Sequence, residues 1–340
     1  MQAKIAVTRK IFPDILELLR QHFEVADNQG DSVLGPDALA ELLRGKQGAV
    51  TQLVDRVDEA LLNRCPELKA VCNVAVGYNN IDVAACTRRG IMITNTPGVL
   101  DDTTADLAFT LILATARRIT EAEAWLRAGN WKAWAFDLFL GQEINHATLG
   151  IVGMGRIGQA VAKRALGFDM TIRYHNRTRL APDIEAAVQA TYLPLDDLLR
   201  ESDFVLLQLP YNPQTHHLIG ARELALMKPT AILVNVARGG VVDDAALIDA
   251  LRAGRIAGAG LDVFENEPHF NPGFLDLKNV VLVPHIGSAT LATRRNMVMT
   301  AARNLIAALT NGEPPNLVNR EAIGNRAQTY SCAHTSVEQE

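Results

Sequence analysis

Cysteine is scarce in this sequence, and its spacing excludes two kinds of site. The four cysteines among 340 residues are Cys65, Cys72, Cys86 and Cys332, with no C-x-x-C pair. This pattern argues against a disulfide framework and against a cysteine-rich metal centre, so no metal is expected. We predict reduced thiols in a cytoplasmic protein.

Long apolar runs and an excess of positive charge are also missing. The most apolar stretch, LAFTLILATA at residues 107–116, is too short to span a membrane, and the N-terminus lacks the apolar core of a secretory signal. The net charge of −5 gives no general attraction to nucleic acid or anionic lipid. We therefore expect neither nucleic acid nor membrane as a partner.

Short β-branched runs alternate with amphipathic helical patterns, which predicts an α/β protein with parallel sheets covered by helices. In a first series, strands are predicted at residues 4–7, 48–52, 69–74 and 91–94. In a second series, they are predicted in ATLGIVG, MTIRYH, DFVLLQL, AILVNV, IAGAGLDV and VVLVPH. A helical stretch at about residues 102–128 separates the two series, and another at about 289–311 follows the second series. Two domains with a cleft are expected.

A glycine-rich segment directly follows the first strand of the second series. Gly153, Gly155 and Gly158 form a G-x-G-x-x-G pattern that leads into a predicted helix. Glycines permit a tight turn and close approach of the backbone to a pyrophosphate, which the helix N-terminus attracts. An ordinary glycine-rich turn is the alternative, but the strand and helix on either side favour a Rossmann dinucleotide site.

The next predicted strand ends without the acidic residue that usually binds the ribose of NAD. Residues 174–179 read YHNRTR, so Asn176 takes that position. A carboxylate there would repel a 2′-phosphate, whereas a guanidinium group binds phosphate in a bidentate manner. We predict NADP(H) as the preferred cofactor, with NAD(H) possible, and Arg177 as the main phosphate ligand assisted by Asn176 and Thr178. A solvated basic turn is the alternative.

Ionisable residues follow three later strands of this series. Arg238 comes after AILVNV, and Asp262 and Glu267 lie at and beyond the end of IAGAGLDV. His285 ends VVLVPH. Ligands bind at the carboxyl ends of parallel strands, where a histidine can protonate a carbonyl oxygen, a glutamate can orient that histidine, and an arginine can bind a substrate carboxylate. Each residue alone has a structural alternative.

Taken in their order along the chain, the glycine-rich segment and the three segments that carry these ionisable residues resemble the D-isomer-specific 2-hydroxyacid dehydrogenase family. The resemblance runs from about residue 4 to 320 and rests on VGMGRIGQAVAKR, NVARGGVVDDAALIDAL, GAGLDVFENEP and PHIGSAT. It implies a Rossmann NAD(P)-binding domain and a flavodoxin-like substrate domain, each with a doubly wound parallel sheet. It also implies that Arg238 binds substrate, that Glu267 pairs with the acid/base His285, and that Asp262 lies near the nicotinamide.

With this resemblance, residues 1–99 and 289–321 are expected to form the discontinuous flavodoxin-like domain, and 100–288 the Rossmann domain. Residues 322–340 are polar and without periodicity, so we expect a mobile tail. The expected cofactor contacts are Thr104, Gly153, Gly155, Arg156, Ile157, Gly158, Asn176, Arg177, Thr178, Leu209, Pro210, Val236, Asp262, His285 and Gly287.

Two further segments are similar to parts of the family. VAVGYNNID resembles its substrate loop, in which the N–H groups of Val76 and Gly77 hold the substrate carboxylate, and Leu53 is a further expected pocket residue; a simple strand-to-turn glycine is the alternative. AGNWKAW resembles a loop of glyoxylate/hydroxypyruvate reductases that enters the partner subunit's active site, with Trp134 as the candidate contact. Tryptophans that pack a dimer interface are the alternative, and both interpretations require a homodimer.

The predicted function is NADPH-preferring reduction of small 2-oxo acids, glyoxylate to glycolate and hydroxypyruvate to D-glycerate, with His285 as the proton donor. A 2-ketogluconate reductase or another D-2-hydroxyacid dehydrogenase is the near alternative. A cofactor-sensing scaffold similar to corepressors is the distant one. Relatives that oxidise phosphite carry a lysine where this chain has Val76, which argues against phosphite.

Overall fold

The computed structural model describes residues 2–310 and 312–325. The chain divides into two units, one formed by the residues up to Leu100 together with the chain from Thr290 onward, and one by Asp101–Ala289. Both junctions fall one residue later than the boundaries expected from the sequence. Each unit is built on its own parallel sheet.

The first unit has the strand order of a flavodoxin-like fold. Its strands are β1 (Lys4–Val7), β2 (Glu24–Asp27), β3 (Gly48–Thr51), β4 (Ala70–Asn73) and β5 (Met92–Thr94). The helices between them are α1 (Pro13–His22), α2 (Pro36–Leu43), α3 (Glu59–Arg64) and α4 (Val83–Arg88). The strands form a parallel sheet in the order β2-β1-β3-β4-β5, which confirms the predicted fold class.

Burial explains which of these strands the sequence revealed. Strands β3 and β4 are buried at every residue, as expected for strands of a parallel sheet covered on both faces. Strand β2 was not predicted, because its sequence is EVAD and it lies partly exposed at the edge of the sheet.

The second unit contains a seven-stranded parallel sheet. Its helices are α5 (Asp101–Ala116), α6 (Ile119–Arg127), α7 (Arg156–Leu166), α8 (Pro182–Ala187), α9 (Leu195–Glu201), α10 (Ala221–Leu226) and α11 (Asp244–Arg252). Its strands are β6 (Thr148–Val152), β7 (Thr171–His175), β8 (Ala190–Tyr192), β9 (Phe204–Leu207), β10 (Ile232–Asn235), β11 (Gly258–Leu261) and β12 (Val280–Leu282). The order is β12-β11-β10-β9-β6-β7-β8, so the connections reverse direction at β6, where a Rossmann sheet binds its ligand.

The helical stretch expected at about 102–128 is two helices rather than one. Arg118 adopts a left-handed backbone conformation, with φ of 53°, and interrupts the helix between α5 and α6. The carbonyl oxygen of Ala116 accepts the N–H of Gln142 at 2.9 Å. The returning chain therefore takes a hydrogen bond that a continued helix would make internally.

The apolar stretch at residues 107–116 lies within α5 and belongs to the core of the second unit. Phe109, Leu111 and Ile112 are buried in one cluster with residues of the central strands, including Ile151. In the part of the chain that the structure describes, no helix combines the length and the apolar character needed to cross a membrane.

The chain returns to the first unit through α12 (Leu291–Leu309), which Thr290 caps by accepting the N–H of Thr293. Beyond it, the buried Asn319 accepts the N–H of Ile93 at 2.8 Å. Residues 321–325, which lie largely in the predicted tail, are helical. Asn325 donates to the carbonyl of Thr87 at 2.9 Å, so the chain is anchored there. The rest of the predicted tail lies outside the described residues.

Candidate active site

The glycine turn between β6 and α7 can form only because side chains are absent. Gly153 has φ of 103°, and a Cβ there would overlap the carbonyl oxygen of Gln208 at the end of β9. A Cβ on Gly158 would press against the carbonyl of Gly153. The turn therefore leads directly into the 11-residue helix α7, whose first N–H groups form an anion site of the Rossmann type.

Asn176 anchors this turn through its side chain. Its Oδ1 accepts the N–H of Met154 at 2.7 Å, directly after β7. The amide oxygen is therefore used by the protein itself, and only the NH₂ group remains to donate to a ligand. From the sequence, Asn176 was expected to contact only the cofactor, because a hydrogen bond between residues 22 apart leaves no local pattern.

The two arginines after Asn176 differ in their contacts. Arg179 forms two hydrogen bonds with Glu185, at 2.8 and 2.9 Å, and Glu185 also accepts from the hydroxyl of Tyr174 at 2.5 Å. The hydrogen bonds from Arg179 and Tyr174 lower the pKa of Glu185 to about 2. Arg177 is exposed and forms no hydrogen bond or ion pair with any described residue. Arg179 is thus engaged within the protein, whereas Arg177 can bind an external anion.

Asp262 organises the turn that follows β12. This carboxylate is 1% exposed, and it accepts the N–H of Ile286 at 2.6 Å and that of Gly287 at 2.9 Å. Its own carbonyl accepts the N–H of His285 at 2.9 Å. Burial raises the pKa of Asp262, and the two N–H groups and the charge of His285 oppose that rise. Asp262 therefore connects the end of β11 to the turn that carries His285.

His285 and Glu267 form the central pair of the candidate site. His285 is held in a left-handed backbone conformation, with φ of 52°, and its Nδ1 lies 2.5 Å from Oε1 of Glu267. Oε2 of Glu267 accepts the N–H of Phe264 at 3.2 Å. Burial would raise the pKa of Glu267, but the hydrogen bond and charge of His285 and the charge of Arg238 outweigh it, so the pKa is lowered. With Nδ1 engaged, Nε2 of His285 is the nitrogen left for a ligand.

Arg238 lies beside this pair at the end of β10. A buried residue, Asn235, holds its turn by donating to the carbonyl of Arg238 at 3.2 Å and accepting the N–H of Ala237 at 3.0 Å. Burial lowers the pKa of Arg238, and the charges of Glu267 and Asp262 oppose that shift. The ends of three adjacent strands, β10, β11 and β12, thus bring Arg238, Glu267 and His285 together. The role of Asn235 was missed because the sequence marks it only as a strand residue.

Comparison with known proteins decides the family. The profile for "D-isomer specific 2-hydroxyacid dehydrogenase, NAD binding domain" matches residues 109–287, more than half of the chain. A glyoxylate reductase from Thermococcus gammatolerans is 52% identical over 328 residues, which are 95% of this chain and 98% of the relative. This chain belongs to the D-isomer-specific 2-hydroxyacid dehydrogenase family.

Solved structures of the dehydrogenase family share the fold. A glyoxylate reductase from Paecilomyes thermophila has 35% identity and a TM-score of 0.84, over 94% of this chain and 99% of that one. The NADPH-dependent glyoxylate/hydroxypyruvate reductase from Sinorhizobium meliloti, in complex with NADP and malonate, has 37% identity and a TM-score of 0.83, over 95% and 98%. The predicted Rossmann fold and NAD(P)-dependent oxidoreductase class are confirmed.

The glycine turn of this dehydrogenase fits a nicotinamide dinucleotide. A Cβ built on Gly155 would have no atom within 4 Å, so the space in front of α7 is open where the pyrophosphate binds in such folds. The buried Thr104 lies beside Gly287 and Asp262. The other expected contacts lie in the first turn of α7, in the turn after β7, and at the ends of β9 and β10: Arg156, Ile157, Thr178, Leu209, Pro210 and Val236.

Two asparagines fix the segment that resembles the substrate loop. Asn95 donates to the carbonyl of Val76 at 2.8 Å, and Asn73 donates to that of Gly77 at 3.0 Å. Among the described residues, neither the N–H of Val76 nor that of Gly77 has a hydrogen-bond acceptor. Both carbonyls are therefore engaged within the protein, while both N–H donors stay available among the described residues. Leu53 is half-buried in the same unit. Neither asparagine was predicted, because Asn73 ends β4 and Asn95 follows β5 without a recognisable motif.

The segment after α6 exposes large apolar side chains. Trp134 is 76% exposed and Phe136 is 84% exposed, and their rings meet edge to face with centroids 6.5 Å apart. Residues 131–140 are here called the aromatic segment. Its other exposed apolar residues are Trp131, Leu138 and Leu140. An exposed apolar patch of this kind is typical of an interface.

Proposed function

We propose that this dehydrogenase is an NADPH-preferring reductase of small 2-oxo acids, with glyoxylate and hydroxypyruvate as the first substrates. The observation that carries the proposal is the contact of 2.5 Å between His285 and Glu267, with Arg238 beside it. Relatives named glyoxylate reductase, 52% and 51% identical over almost their whole length, support the same substrate class.

The chemistry assigned to each residue follows from its contacts. Nε2 of His285 donates the proton that the carbonyl oxygen of the substrate requires, while Glu267 holds the ring by Nδ1. Arg238 binds the substrate carboxylate and polarises the carbonyl oxygen. The bound nicotinamide supplies the hydride to the carbonyl carbon. The products are the 2-hydroxy acids glycolate and D-glycerate.

His285→Ala tests this mechanism. Because general acid catalysis typically contributes about 10²–10⁴-fold, we expect kcat for glyoxylate and hydroxypyruvate to fall by that factor. NADPH binding, measured by fluorescence titration, should remain close to that of the wild type. His22→Ala, in the last turn of α1, is the control and should keep full turnover. A His285→Ala enzyme that oxidises NADPH at the wild-type rate would contradict the mechanism. Including 2-ketogluconate as a substrate in the assay tests the alternative that the enzyme is a 2-ketogluconate reductase.

The N–H groups of Val76 and Gly77 are proposed to bind the substrate carboxylate. Both donors lack an acceptor among the described residues, and Asn95 and Asn73 fix the two carbonyls, so the donors are preorganised for an anion.

Asn95→Ala should raise KM for the 2-oxo acid about fivefold, because a typical hydrogen bond contributes about 1 kcal/mol. NADPH affinity should not change. Asn63→Ala is the matched control in the same unit, since the Asn63 side chain contacts Arg89 on the helical surface. Steady-state kinetics with both variants provide the measurement, and an unchanged KM in Asn95→Ala would remove the support for this loop.

A preference for NADPH is proposed from the turn after β7. The position directly after that strand holds the neutral Asn176 in place of a carboxylate that would repel a 2′-phosphate. Arg177 is exposed, and it makes no contact with a described residue that would compete with a phosphate. The Sinorhizobium meliloti relative, described as NADPH-dependent and solved with NADP, supports this choice.

Arg177→Ala and Arg179→Ala form a matched pair of tests. We expect Arg177→Ala to lower kcat/KM for NADPH about 10- to 100-fold, since hydrogen bonds to charged groups contribute about 1.5–3 kcal/mol. Arg179→Ala should have a smaller effect, because Arg179 is engaged by Glu185. Kinetics with NADPH and NADH measure both. Equal use of the two cofactors by the wild type, or a larger loss in Arg179→Ala, would count against the assignment.

The exposed aromatic segment leads us to propose a homodimer, in which a second copy of the chain covers Trp134 and Phe136. In this dimer, Trp134 reaches the substrate of the partner subunit. Replacing both with Asp should give a monomer, because two charges would be buried without partners. Sedimentation velocity measures the oligomeric state of each protein. Leu275→Asp, at a residue 64% exposed elsewhere in the same unit, should remain dimeric. A monomeric wild type would contradict the proposal.

A further inference from the structure

Two histidines and a glutamate lie close together outside the proposed catalytic pair. His216 and His217 lie between β9 and α10, and Glu265 follows β11. Each of the three can place a ligand atom within 4.8 Å of those of the other two. We propose that His216, His217 and Glu265 form a binding site for a divalent metal ion from the late part of the first transition row. Zn²⁺ is the ion for which the site is argued and tested.

The distances suit a tetrahedral ion. Bonds of about 2.0–2.1 Å to Zn²⁺ separate neighbouring ligand atoms by roughly 3.3 Å. Nε2 of His217 and Oε1 of Glu265 are 3.2 Å apart, which already matches. The ring of His216 stacks on that of His217 with centroids 3.9 Å apart and an interplanar angle of 25°. The three ligand atoms lie within 4.8 Å of one another, so binding requires the exposed His216 side chain to move closer, and water would take the fourth position.

A tyrosine hydroxyl orients the ring of His216, and an aspartate lies farther from the ring of His217. The hydroxyl of Tyr211 lies 3.2 Å from Nδ1 of His216, and Oδ2 of Asp243 lies 4.0 Å from Nδ1 of His217. Metal-binding histidines usually have their second ring nitrogen held by a polar group, which fixes the tautomer. The hydroxyl of Tyr211 is within hydrogen-bond distance of Nδ1 of His216, which leaves Nε2 of that ring for the ion, and Nε2 of His217 is the nitrogen that faces Glu265.

The backbone keeps the two ligand-bearing segments in place. The N–H of His217 donates to the carbonyl of Gly240 at 2.7 Å, and the N–H of Glu265 donates to Asp244 at 3.1 Å. A Cβ on Gly239 would overlap the carbonyl of Phe264, so the turn after Arg238 packs directly against the Glu265 segment. The spacing between His217 and Glu265 is therefore preorganised.

The donor set selects the class of metal. Two imidazoles with one carboxylate favour Zn²⁺ and its neighbours over Mg²⁺ or Ca²⁺, which prefer sites made of oxygen alone. No metal was expected from the sequence, because its cysteines show no C-x-x-C spacing and these three ligands form no local motif. Glu265 is 48 residues from His217, so no local pattern connects them.

The test is calorimetric titration of the full-length, chelator-treated protein with ZnCl₂. Cys332 and His334, outside the described residues, could bind Zn²⁺ independently, so all proteins carry Cys332→Ser and His334→Ala. We expect one Zn²⁺ per chain in this background and a rise in Tm with added Zn²⁺.

Variants then assign the ligands. His216→Ala, His217→Ala and Glu265→Gln should each weaken Zn²⁺ binding by more than about 100-fold, since losing a residue that merely orients a ligand costs roughly 10–100-fold. Tyr211→Phe should fall within that smaller range, and His22→Ala should bind as the background protein does. Circular dichroism checks folding, and His216→Ala, an exposed position, keeps the test valid if another variant misfolds. A stoichiometry below one, or unchanged affinity in His216→Ala and Glu265→Gln, would overturn the proposal.

Discussion

The buried carboxylate of Asp262 is the constraint on which the candidate site depends. It accepts two consecutive N–H groups, from Ile286 and Gly287, and so connects the end of β11 to the turn after β12. That connection holds His285 in a left-handed conformation that brings its Nδ1 to Glu267. The resemblance placed Asp262 near the nicotinamide, and the structure adds its function as the residue that shapes the turn. Burying a charge is costly, and here the two N–H groups offset part of that cost.

Neutral amide side chains perform the same task elsewhere in the chain. Asn176 holds the glycine turn, Asn235 holds the turn of Arg238, and Asn95 and Asn73 hold the loop of Val76 and Gly77. An amide can satisfy a backbone donor and a backbone acceptor without the desolvation cost of a charge. Asn176 therefore fixes the turn as an acceptor and, being neutral, places no negative charge beside Arg177.

The sequence predicted the parts of this molecule that depend on local pattern. Continuous apolar strands such as β9 and β10, the glycine turn, and the order of Arg238, Glu267 and His285 were all visible. The half-exposed edge strand β2 was not predicted, because its polar residues obscure the apolar pattern by which a strand is recognised. The interruption at Arg118 was also hidden, because it depends on a hydrogen bond from Gln142, far along the chain. The same limit applies to the contrast between Arg177 and Arg179, which depends on Glu185, and to the cluster of His216, His217 and Glu265.

The most direct test of the account is kcat of Asp262→Asn with hydroxypyruvate and NADPH. The amide keeps the size of the side chain but presents a donor to one of the two N–H groups, so the turn carrying His285 should lose its fixed geometry. We expect kcat to fall by about 10- to 100-fold, because hydrogen bonds to a charged group contribute about 1.5–3 kcal/mol. A folded Asp262→Asn enzyme with wild-type kcat would contradict the claim that this carboxylate positions His285.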